Sequence, residues 1–183
     1  MVTLPMLWLP ILISAVIVFI ASNVLWMMLP FWHRKDYGHL ANDKPILDAL
    51  SSTPSGQYMV PSVNWQKLTA EEKAAIQKGP GGLLLVRNPM SFSFGSKLAS
   101  FFLYNVVLIA IIGYLAARAL NVGAACPQVF RFVATAGILA YSFITIPDTI
   151  WYGKPWSVTI KTIIDGIIYG LLIAGTFGWL WPH

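Results

Sequence analysis

Long apolar runs, separated by shorter polar segments, dominate the pattern of this chain. Four of these runs come close to the roughly 20 apolar residues that a helix needs to cross the hydrocarbon core of a membrane. They lie at 7–29, 98–117, 132–146 and 158–181. The pattern predicts an all-α transmembrane protein, a four-helix membrane bundle with its first helix within 1–29 and its other three within 98–183.

The composition supports a membrane protein and excludes two other classes. Hydrophobic residues make up 57% of the chain, charged residues 10%, and the mean hydropathy is +0.67. A soluble domain has about 25% charged residues, and a disordered chain has low hydrophobicity, so neither class fits. The single cysteine excludes an intramolecular disulfide and a cysteine-based metal site. We expect the lipid bilayer as a partner and no nucleic acid.

The connection between the first two apolar runs, residues 30–97, is too long to be a bare loop. Asp43 is a candidate helix cap, and Thr69-Ala-Glu-Glu72 has the spacing of a capping box. The short elements predicted from these and similar local signals are helices at 45–50 and 70–78 and extended segments at 57–60 and 83–87. Together they predict a small ordered α+β cap on the cytoplasmic side.

The distribution of basic residues predicts the orientation in the membrane. Ten lysines and arginines fall in 30–97 or around the connection between the last two runs, whereas only Arg118 and Arg131 lie on the opposite side. Cytoplasmic segments carry the excess of basic residues in membrane proteins. The long connection is therefore predicted to be cytoplasmic, with the N and C termini outside.

A few polar residues lie inside or beside the apolar runs, and they are the candidate site. Asp148 and Asp165 must both approach the hydrocarbon edge if the third and fourth runs are to reach full length. Lys161 precedes Asp165 by one helical turn and can pair with it, while Lys154 is close enough in sequence to pair with Asp148. Two interpretations stay open for the acidic pair: a tie between the last two helices, or an ion, proton or polar-ligand site. Asn105 is expected to hydrogen-bond across the bundle.

The fourth run carries a stripe of small residues at a spacing of four. Its members are Thr162, Gly166, Gly170, Ala174 and Gly178. Small residues let helix backbones approach closely in lipid. Packing within the chain is the default interpretation of this stripe, and packing against another membrane subunit or a second copy is the alternative.

No signal for enzymatic or metal chemistry emerges. The three histidines, His33, His39 and His183, lack the helical spacing of a metal pair, and no catalytic motif is present. We therefore predict no catalytic residues, no bound metal and no cofactor. His33 precedes Arg34 and Lys35, so it is expected to face lipid headgroups.

Four stretches of the sequence carry a resemblance to a known group of proteins. They are Phe31-Trp-His-Arg-Lys-Asp-Tyr37, Tyr58-Met-Val-Pro61, Trp151-Tyr-Gly-Lys-Pro-Trp-Ser157 and Ala174-Gly-Thr-Phe-Gly-Trp-Leu-Trp-Pro182. These stretches resemble a group of small bacterial membrane proteins that have one long helix, a loop and three further helices, with no assigned activity. The resemblance implies this architecture and the bacterial inner membrane, and it implies no mechanism.

Three hypotheses about function follow from the sequence. The leading one is a structural or accessory subunit of a larger membrane complex or homo-oligomer, because the helices have small-residue seams and no catalytic cluster. The second is a small transporter or ion- or proton-coupled protein that uses Asp148 and Asp165. The third is an enzyme that acts on lipid at the membrane interface with Asp148, Asp165 and His33, and it is the weakest because no nucleophile–base pair is visible.

Overall fold

The computed structural model of this protein describes residues 2–87 and 93–183. The described residues form two compact units. The helical unit comprises 2–37, 93–150 and 154–183, and the loop unit comprises 38–87 and 151–153. In chain order the elements are α1 (Trp8–Asn23), α2 (Pro30–His33), α3 (Lys44–Leu50), β1 (Gly56–Val60), α4 (Ala70–Lys78), β2 (Gly82–Val86), α5 (Phe94–Ala119), α6 (Cys126–Ser142), α7 (Ile146–Tyr152) and α8 (Trp156–Trp179).

Four helical segments of the described chain are long and apolar enough to cross a membrane, as the sequence predicts. They are Leu4–Met28, Phe94–Ala119, Cys126–Tyr152 and Trp156–Trp179. The first combines a 3-10 turn, α1 and a π turn at Val24–Met28, and the third combines α6, a 3-10 turn at Phe143–Thr145 and α7. This architecture is compatible with a multi-pass membrane protein.

The third span is longer than the sequence pattern predicts. The pattern places it between Arg131 and Pro147, whereas the helix begins at Cys126 and continues to Tyr152. Proline has no N–H, and its fixed φ suits the first turn of a helix. Pro147 accordingly lies in the first turn of α7, directly after a 3-10 turn, so it changes the helical geometry without ending the span.

The small-residue stripe of α8 lies against α6 within the same chain. A Cβ atom on Gly170 would approach the backbone nitrogen of Ile138 to 2.7 Å, and one on Gly137 would approach the Cα of Gly170 to 2.9 Å. A Cβ on Gly166 would collide with Ser142. These contacts require glycine, and they let the two helices pack backbone to backbone. Packing within the chain, the default interpretation, therefore accounts for the glycines at the centre of the stripe.

The remaining helices of the helical unit close around an apolar core. Leu7, Val18, Ile109, Ile173 and Phe177 are all fully buried and belong to one cluster. A Cβ atom on Gly113 would lie only 3.3 Å from the ring of Phe177, so this glycine lets an aromatic side chain from α8 pack closely against α5.

The loop unit contains the short elements that its local signals predict. Thr69 and Glu72 form the capping box at the start of α4, with both reciprocal hydrogen bonds present. β1 and β2 pair in antiparallel register, with Tyr58 opposite Leu84. Asp43 occupies the N-cap position of α3, but its side chain makes no capping hydrogen bond. The predicted α+β character of this segment is confirmed.

Candidate functional site

The polar centre of the helical unit is built by two segments that are far apart in sequence. The π turn that follows α1 ends at Leu29, where the backbone leaves the helical conformation, and Pro30 starts the short helix α2. This break places Trp32 and His33 beside the long helix α8. Lys161 and Asp165 lie four residues apart on α8, so they share one face of that helix.

His33 lies between two carboxylates. Its Nε2 is 2.7 Å from Oδ2 of Asp165, and its Nδ1 is 2.6 Å from Oδ2 of Asp36. Only 3% of His33 is exposed, and the indole of Trp26 stacks on the imidazole with ring centroids 3.8 Å apart. The stacking of Trp26 thus fixes the plane of the imidazole ring, and the two carboxylates bind its two nitrogens.

The remaining oxygen of each carboxylate also has a donor. The indole Nε1 of Trp32 donates to Oδ1 of Asp165 at 2.7 Å, and Nζ of Lys161 donates to Oδ1 of Asp36. We call these five residues, Trp32, His33, Asp36, Lys161 and Asp165, the His33 cluster. Every nitrogen and oxygen in its ionisable groups has a hydrogen-bond partner inside the protein, as buried charge requires.

The geometry of the His33 cluster requires an extra proton. A neutral imidazole has a single N–H and can donate to one carboxylate only. Because both nitrogens of His33 face acids, a second proton must sit either on the imidazole or on Asp36 or Asp165. With the imidazole doubly protonated, two positive and two negative side chains balance one another. After loss of that proton, the cluster carries one negative charge.

The hydrogen bonds of Asp36 favour its ionised form. Burial acts to raise its pKa, but the hydrogen bonds from Lys161 and His33 outweigh this effect, and the pKa of Asp36 lies below its ordinary value. Lys161 itself is 23% exposed at its side chain, so its ammonium group keeps some contact with solvent. Asp36 and Lys161 therefore form a neutral pair, and the second proton lies on His33 or on Asp165.

A cavity of about 340 Å³ adjoins Asp165 inside the helical unit. Its walls come from all four long helical segments, and aromatic rings dominate them. The aromatic residues of the wall are Trp26, Phe101, Tyr104, Tyr141 and Tyr169. Asp165 is the only ionisable carboxylate among the described residues that line this cavity. The cavity is thus an aromatic chamber with one acidic side chain in its wall.

Two tyrosines of the cavity wall differ in how their hydroxyl groups are satisfied. The hydroxyl of Tyr141 donates to Oδ1 of Asn105 at 2.7 Å. The hydroxyl of Tyr169, a residue that is 7% exposed, makes no hydrogen bond of good geometry to any described residue, although the indole of Trp26 lies close enough to interact with it. A buried hydroxyl without a good partner is costly in a protein interior.

A second cavity, of about 420 Å³, adjoins the opposite part of the cluster. His33 and Arg34 lie in its wall together with Trp26 and Tyr37. Trp26 lines both cavities, whereas Asp165 lines only the first and His33 only the second. The hydrogen bond between His33 and Asp165 therefore connects the walls of two separate cavities.

The candidate residues predicted from the sequence differ in their burial and in their hydrogen-bond partners. Asp165 is 2% exposed and belongs to the His33 cluster. Lys161 pairs with Asp36, and not with Asp165 as expected from its spacing. Asp148 is exposed in the first turn of α7, and its carboxylate has no hydrogen bond or ion pair, with Lys154 or otherwise, in the part of the chain that is described. Asn105 is fully buried and accepts the hydrogen bond across the bundle from Tyr141.

The sequence names His33 only as a candidate of the lipid-enzyme hypothesis and does not predict its two acidic partners. The expectation that His33 faces lipid headgroups is wrong, because the side chain is buried between the carboxylates of Asp36 and Asp165. Trp32 and Asp36 were not singled out at all. One signal was available, because His33 and Asp36, like Lys161 and Asp165, are spaced by one helical turn beside an apolar run.

The cluster has no metal-site geometry. Within 2–87 and 93–183, no three histidine, cysteine, aspartate or glutamate side chains are placed to hold a metal ion. The physical reason lies in the imidazole ring, whose two nitrogens point in different directions. Asp36 and Asp165 bind opposite nitrogens, so the two carboxylates do not converge with the histidine on a common point.

Comparison with known proteins does not identify a family for this chain. No protein-family model, no curated protein and no solved structure matches the chain. The resemblance to a group of small bacterial membrane proteins stays a prediction, and the function has to be inferred from the His33 cluster and its two cavities.

Proposed function

We propose that this protein is a small proton-coupled transporter in which a proton passes through His33 and Asp165. The observation that carries this proposal is the buried imidazole that lies between two carboxylates and joins the walls of two cavities. Among the hypotheses from the sequence, this geometry favours the transporter. Asp165 remains one of its two proton-carrying residues, and His33 takes the role that the sequence hypothesis gave to Asp148.

The chemistry of imidazole suits this role. Histidine is the side chain that can take up and release a proton near neutral pH, and it can accept on one nitrogen and donate from the other. In the His33 cluster, Lys161 neutralises Asp36, so the charge of Asp165 depends on where the mobile proton lies. A change of solvent or ligand in either cavity then shifts the proton between His33 and Asp165.

The position of Asp165 within a membrane-spanning helix supports a functional interpretation. It lies nine residues after the start of α8 at Trp156, about 13.5 Å along the helix axis. An ionisable group in a membrane-spanning helix is costly and is typical of ion and proton pathways. The hydrogen bonds from His33 and Trp32 reduce that cost, and they leave Asp165 in the wall of the aromatic cavity.

Proton flux in liposomes tests this proposal. The full chain is reconstituted with a pH-sensitive dye inside the vesicles, and a potassium diffusion potential drives protons across the membrane. We expect flux with the wild-type protein and flux at the rate of protein-free vesicles with His33→Gln and with Asp165→Asn. Asp148→Asn is the matched control and is expected to retain wild-type flux. Equal rates for wild type, His33→Gln and Asp165→Asn would overturn the proposal.

The accessory-subunit hypothesis is the second candidate, and it stays a prediction. Its motivating feature was the small-residue stripe of α8, and the glycines of that stripe face α6 of the same chain. No feature of the described residues therefore demands a partner subunit. Mass measurement in mild detergent tests the hypothesis, because a lone monomer at every protein concentration would contradict self-association.

The lipid-enzyme hypothesis finds less support in the geometry. A histidine that acts as a general base needs one nitrogen that is free to receive a proton from the reacting group. Both nitrogens of His33 are bound to carboxylates, and Asp148 lies outside the cluster. His33 and Asp148 therefore do not form a nucleophile–base pair.

We propose the orientation that the basic residues predict: a bacterial inner membrane protein with residues 30–97 in the cytoplasm and both termini outside. Cys126 is the only cysteine, so a cysteine-free variant provides a clean background for single-cysteine labelling. A cysteine at Ser52 in the loop unit is expected to react with a membrane-impermeant reagent only after the cells are opened. Labelling of that position in intact cells would contradict the proposed orientation.

A further inference from the structure

We propose that the aromatic cavity beside Asp165 binds an organic cation, an alkylated or aromatic ammonium compound, in exchange for the proton of the His33 cluster. This inference rests on the proposed function and names the class of substrate for the same site. It is carried by one acidic side chain, five aromatic rings and one poorly satisfied hydroxyl group in a single cavity wall.

The charge balance of the cluster favours a cation in the cavity. The groups that face His33 are Asp36 from the turn after α2, Asp165 from α8, and Arg34 in the wall of the second cavity, while Lys161 pairs with Asp36. With its proton, the cluster has no net charge. Without the proton it carries one negative charge on the Asp165 side, and a monovalent cation in the cavity restores neutrality. The proton leaves to water as the cation enters, so the charge is the same before and after.

The aromatic wall selects the kind of cation. Indole and phenol rings attract ammonium groups through their faces, and such cages are the usual means of binding alkylated ammonium ions. Trp26, Tyr104, Tyr141 and Tyr169 supply these rings. A metal cation prefers a shell of oxygen ligands, which a wall dominated by rings does not provide. An anionic ligand is disfavoured by Asp165.

The size of the cavity sets a limit on the ligand. Small-molecule sites in proteins occupy about 300–1,000 Å³, and this cavity, at about 340 Å³, is at the lower end of that range. It suits a compact ammonium compound with one aromatic ring or a few alkyl groups. The hydroxyl group of Tyr169, which has no good partner among the described residues, offers its oxygen to the positive end of the ligand.

A pair of ligands with the same shape tests the inference directly. Phenyltrimethylammonium and tert-butylbenzene differ in charge, and their shapes are nearly the same. Calorimetry on the full chain in detergent is expected to give at least about tenfold tighter binding of the ammonium compound, the factor that corresponds to about 1.4 kcal/mol. Equal affinity for the two probes would overturn the inference without any use of variants.

Variants locate the binding. Asp165→Asn is expected to weaken phenyltrimethylammonium binding about tenfold and to leave tert-butylbenzene binding unchanged, while Asp148→Asn leaves both affinities unchanged. Phe101→Leu, which alters the cavity wall and not the cluster, is the second variant in case Asp165→Asn does not fold, and it is expected to weaken binding of both probes. Undiminished binding of the ammonium compound by both cavity variants would place its site elsewhere.

Proton counting separates this inference from the proposed function. Calorimetry in two buffers with different heats of ionisation gives the number of protons released for each bound cation, and we expect release in the wild type and none in His33→Gln. Proton flux in vesicles together with equal affinity for both probes would overturn the inference and retain the transporter. Asp165-dependent cation binding with neither proton release nor flux would retain the cation site and overturn the proton coupling.

Discussion

Asp165 and Asp148 are acidic residues of the same type at the borders of apolar runs, yet the structure surrounds them very differently. Asp165 is 2% exposed, and its two oxygens are bound by Trp32 and His33. Asp148 is exposed, and its carboxylate has no partner in the described part of the chain. The same side chain is thus part of a buried network in one place and a solvated or lipid-edge group in the other.

Proximity in sequence does not select the partner of an acidic residue in this protein. Lys161 is one turn from Asp165, but it pairs with Asp36. A buried charge needs several hydrogen bonds at once, and a single flexible lysine on the same helix supplies only one charge. The imidazole and indole of α2 supply two rigid donors, and α2 is held in place by the break at Leu29 and Pro30.

Removal of His33 is expected to have the largest effect of any single change in the cluster. His33→Ala leaves Asp36 and Asp165 facing an empty space without a shared cation, and breaking a buried ion pair costs about 3–5 kcal/mol. The free energy of unfolding, measured by denaturant titration in mixed micelles, should fall by that amount. Asp148→Asn, as the matched surface change, should alter it by less than about 0.5 kcal/mol.

The difference in stability between His33→Ala and Asp148→Asn tests whether the cluster stabilises the fold. Equal losses in His33→Ala and Asp148→Asn would mean that the cluster does not stabilise the fold. The double variant His33→Ala with Asp165→Leu sharpens the measurement, because it removes the orphaned charge at Asp165 together with the imidazole. It should recover part of the stability lost in His33→Ala, since an apolar pair avoids the cost of an unpaired buried carboxylate.

Lys161→Met is expected to have the next largest effect. The substitution keeps the length of the side chain and removes the charge that neutralises Asp36, which is buried. Because Lys161 is partly exposed, water screens some of the loss, and we expect a decrease of about 1–3 kcal/mol in the free energy of unfolding. Lys154→Met, on the connection beside α8, is the control and should lie within about 0.5 kcal/mol of wild type. Equal effects for the two lysines would contradict the assigned pairing.

The pH dependence of stability depends on Asp36, and the expected effect is smaller than that of the substitutions above. The pKa of Asp36 is lowered in the folded protein from an ordinary value of 3.8, so the unfolded chain binds more protons in the interval below that value. The stability that this group contributes is fully present above pH 3.8 and is lost as the pH falls through the lowered pKa. Asp36→Asn should lack this acid-dependent loss, although it is less stable at neutral pH. Parallel pH curves for the wild type and Asp36→Asn would contradict the lowered pKa.

The elements that could be predicted from the sequence are those with a local cause. Runs of apolar residues predict the four spans, and the capping box at Thr69 predicts α4, because each signal lies inside the element that it specifies. The apolar pattern misplaces the end of the third span because it stops at Pro147, whereas the position of this proline in the first turn of α7 lets the helix continue.

The His33 cluster could not be predicted because its cause is a contact between distant segments. His33 and Asp165 are separated by 132 residues, and nothing in either local sequence specifies the other. Asp165 itself was identified, since an acid in an apolar run is conspicuous. The aromatic cavity was also out of reach, because its wall is assembled from all four long helical segments.

The region around Asp148 has a buried polar contact of its own, and it gives the smallest expected effect. The hydroxyl groups of Thr149 and Thr159 share a hydrogen bond between α7 and α8, and both residues are buried. Hydrogen bonds between neutral side chains in membrane proteins contribute about 0.6 kcal/mol on average, because the unfolded chain in the membrane finds other partners.

A double-mutant cycle with Thr149→Val and Thr159→Val isolates this hydrogen bond, since valine keeps the shape of threonine and removes the hydroxyl. We expect a coupling of about 0.6 kcal/mol, well below the loss in His33→Ala. The contrast follows from charge: an unpaired hydroxyl in the interior loses one hydrogen bond, whereas an unpaired carboxylate must also be neutralised by a proton. If the coupling between the threonines equals the loss of unfolding free energy in His33→Ala, the buried charges of the His33 cluster stabilise the fold no more than a neutral hydrogen bond does. That result would contradict the proposed difference between the two regions.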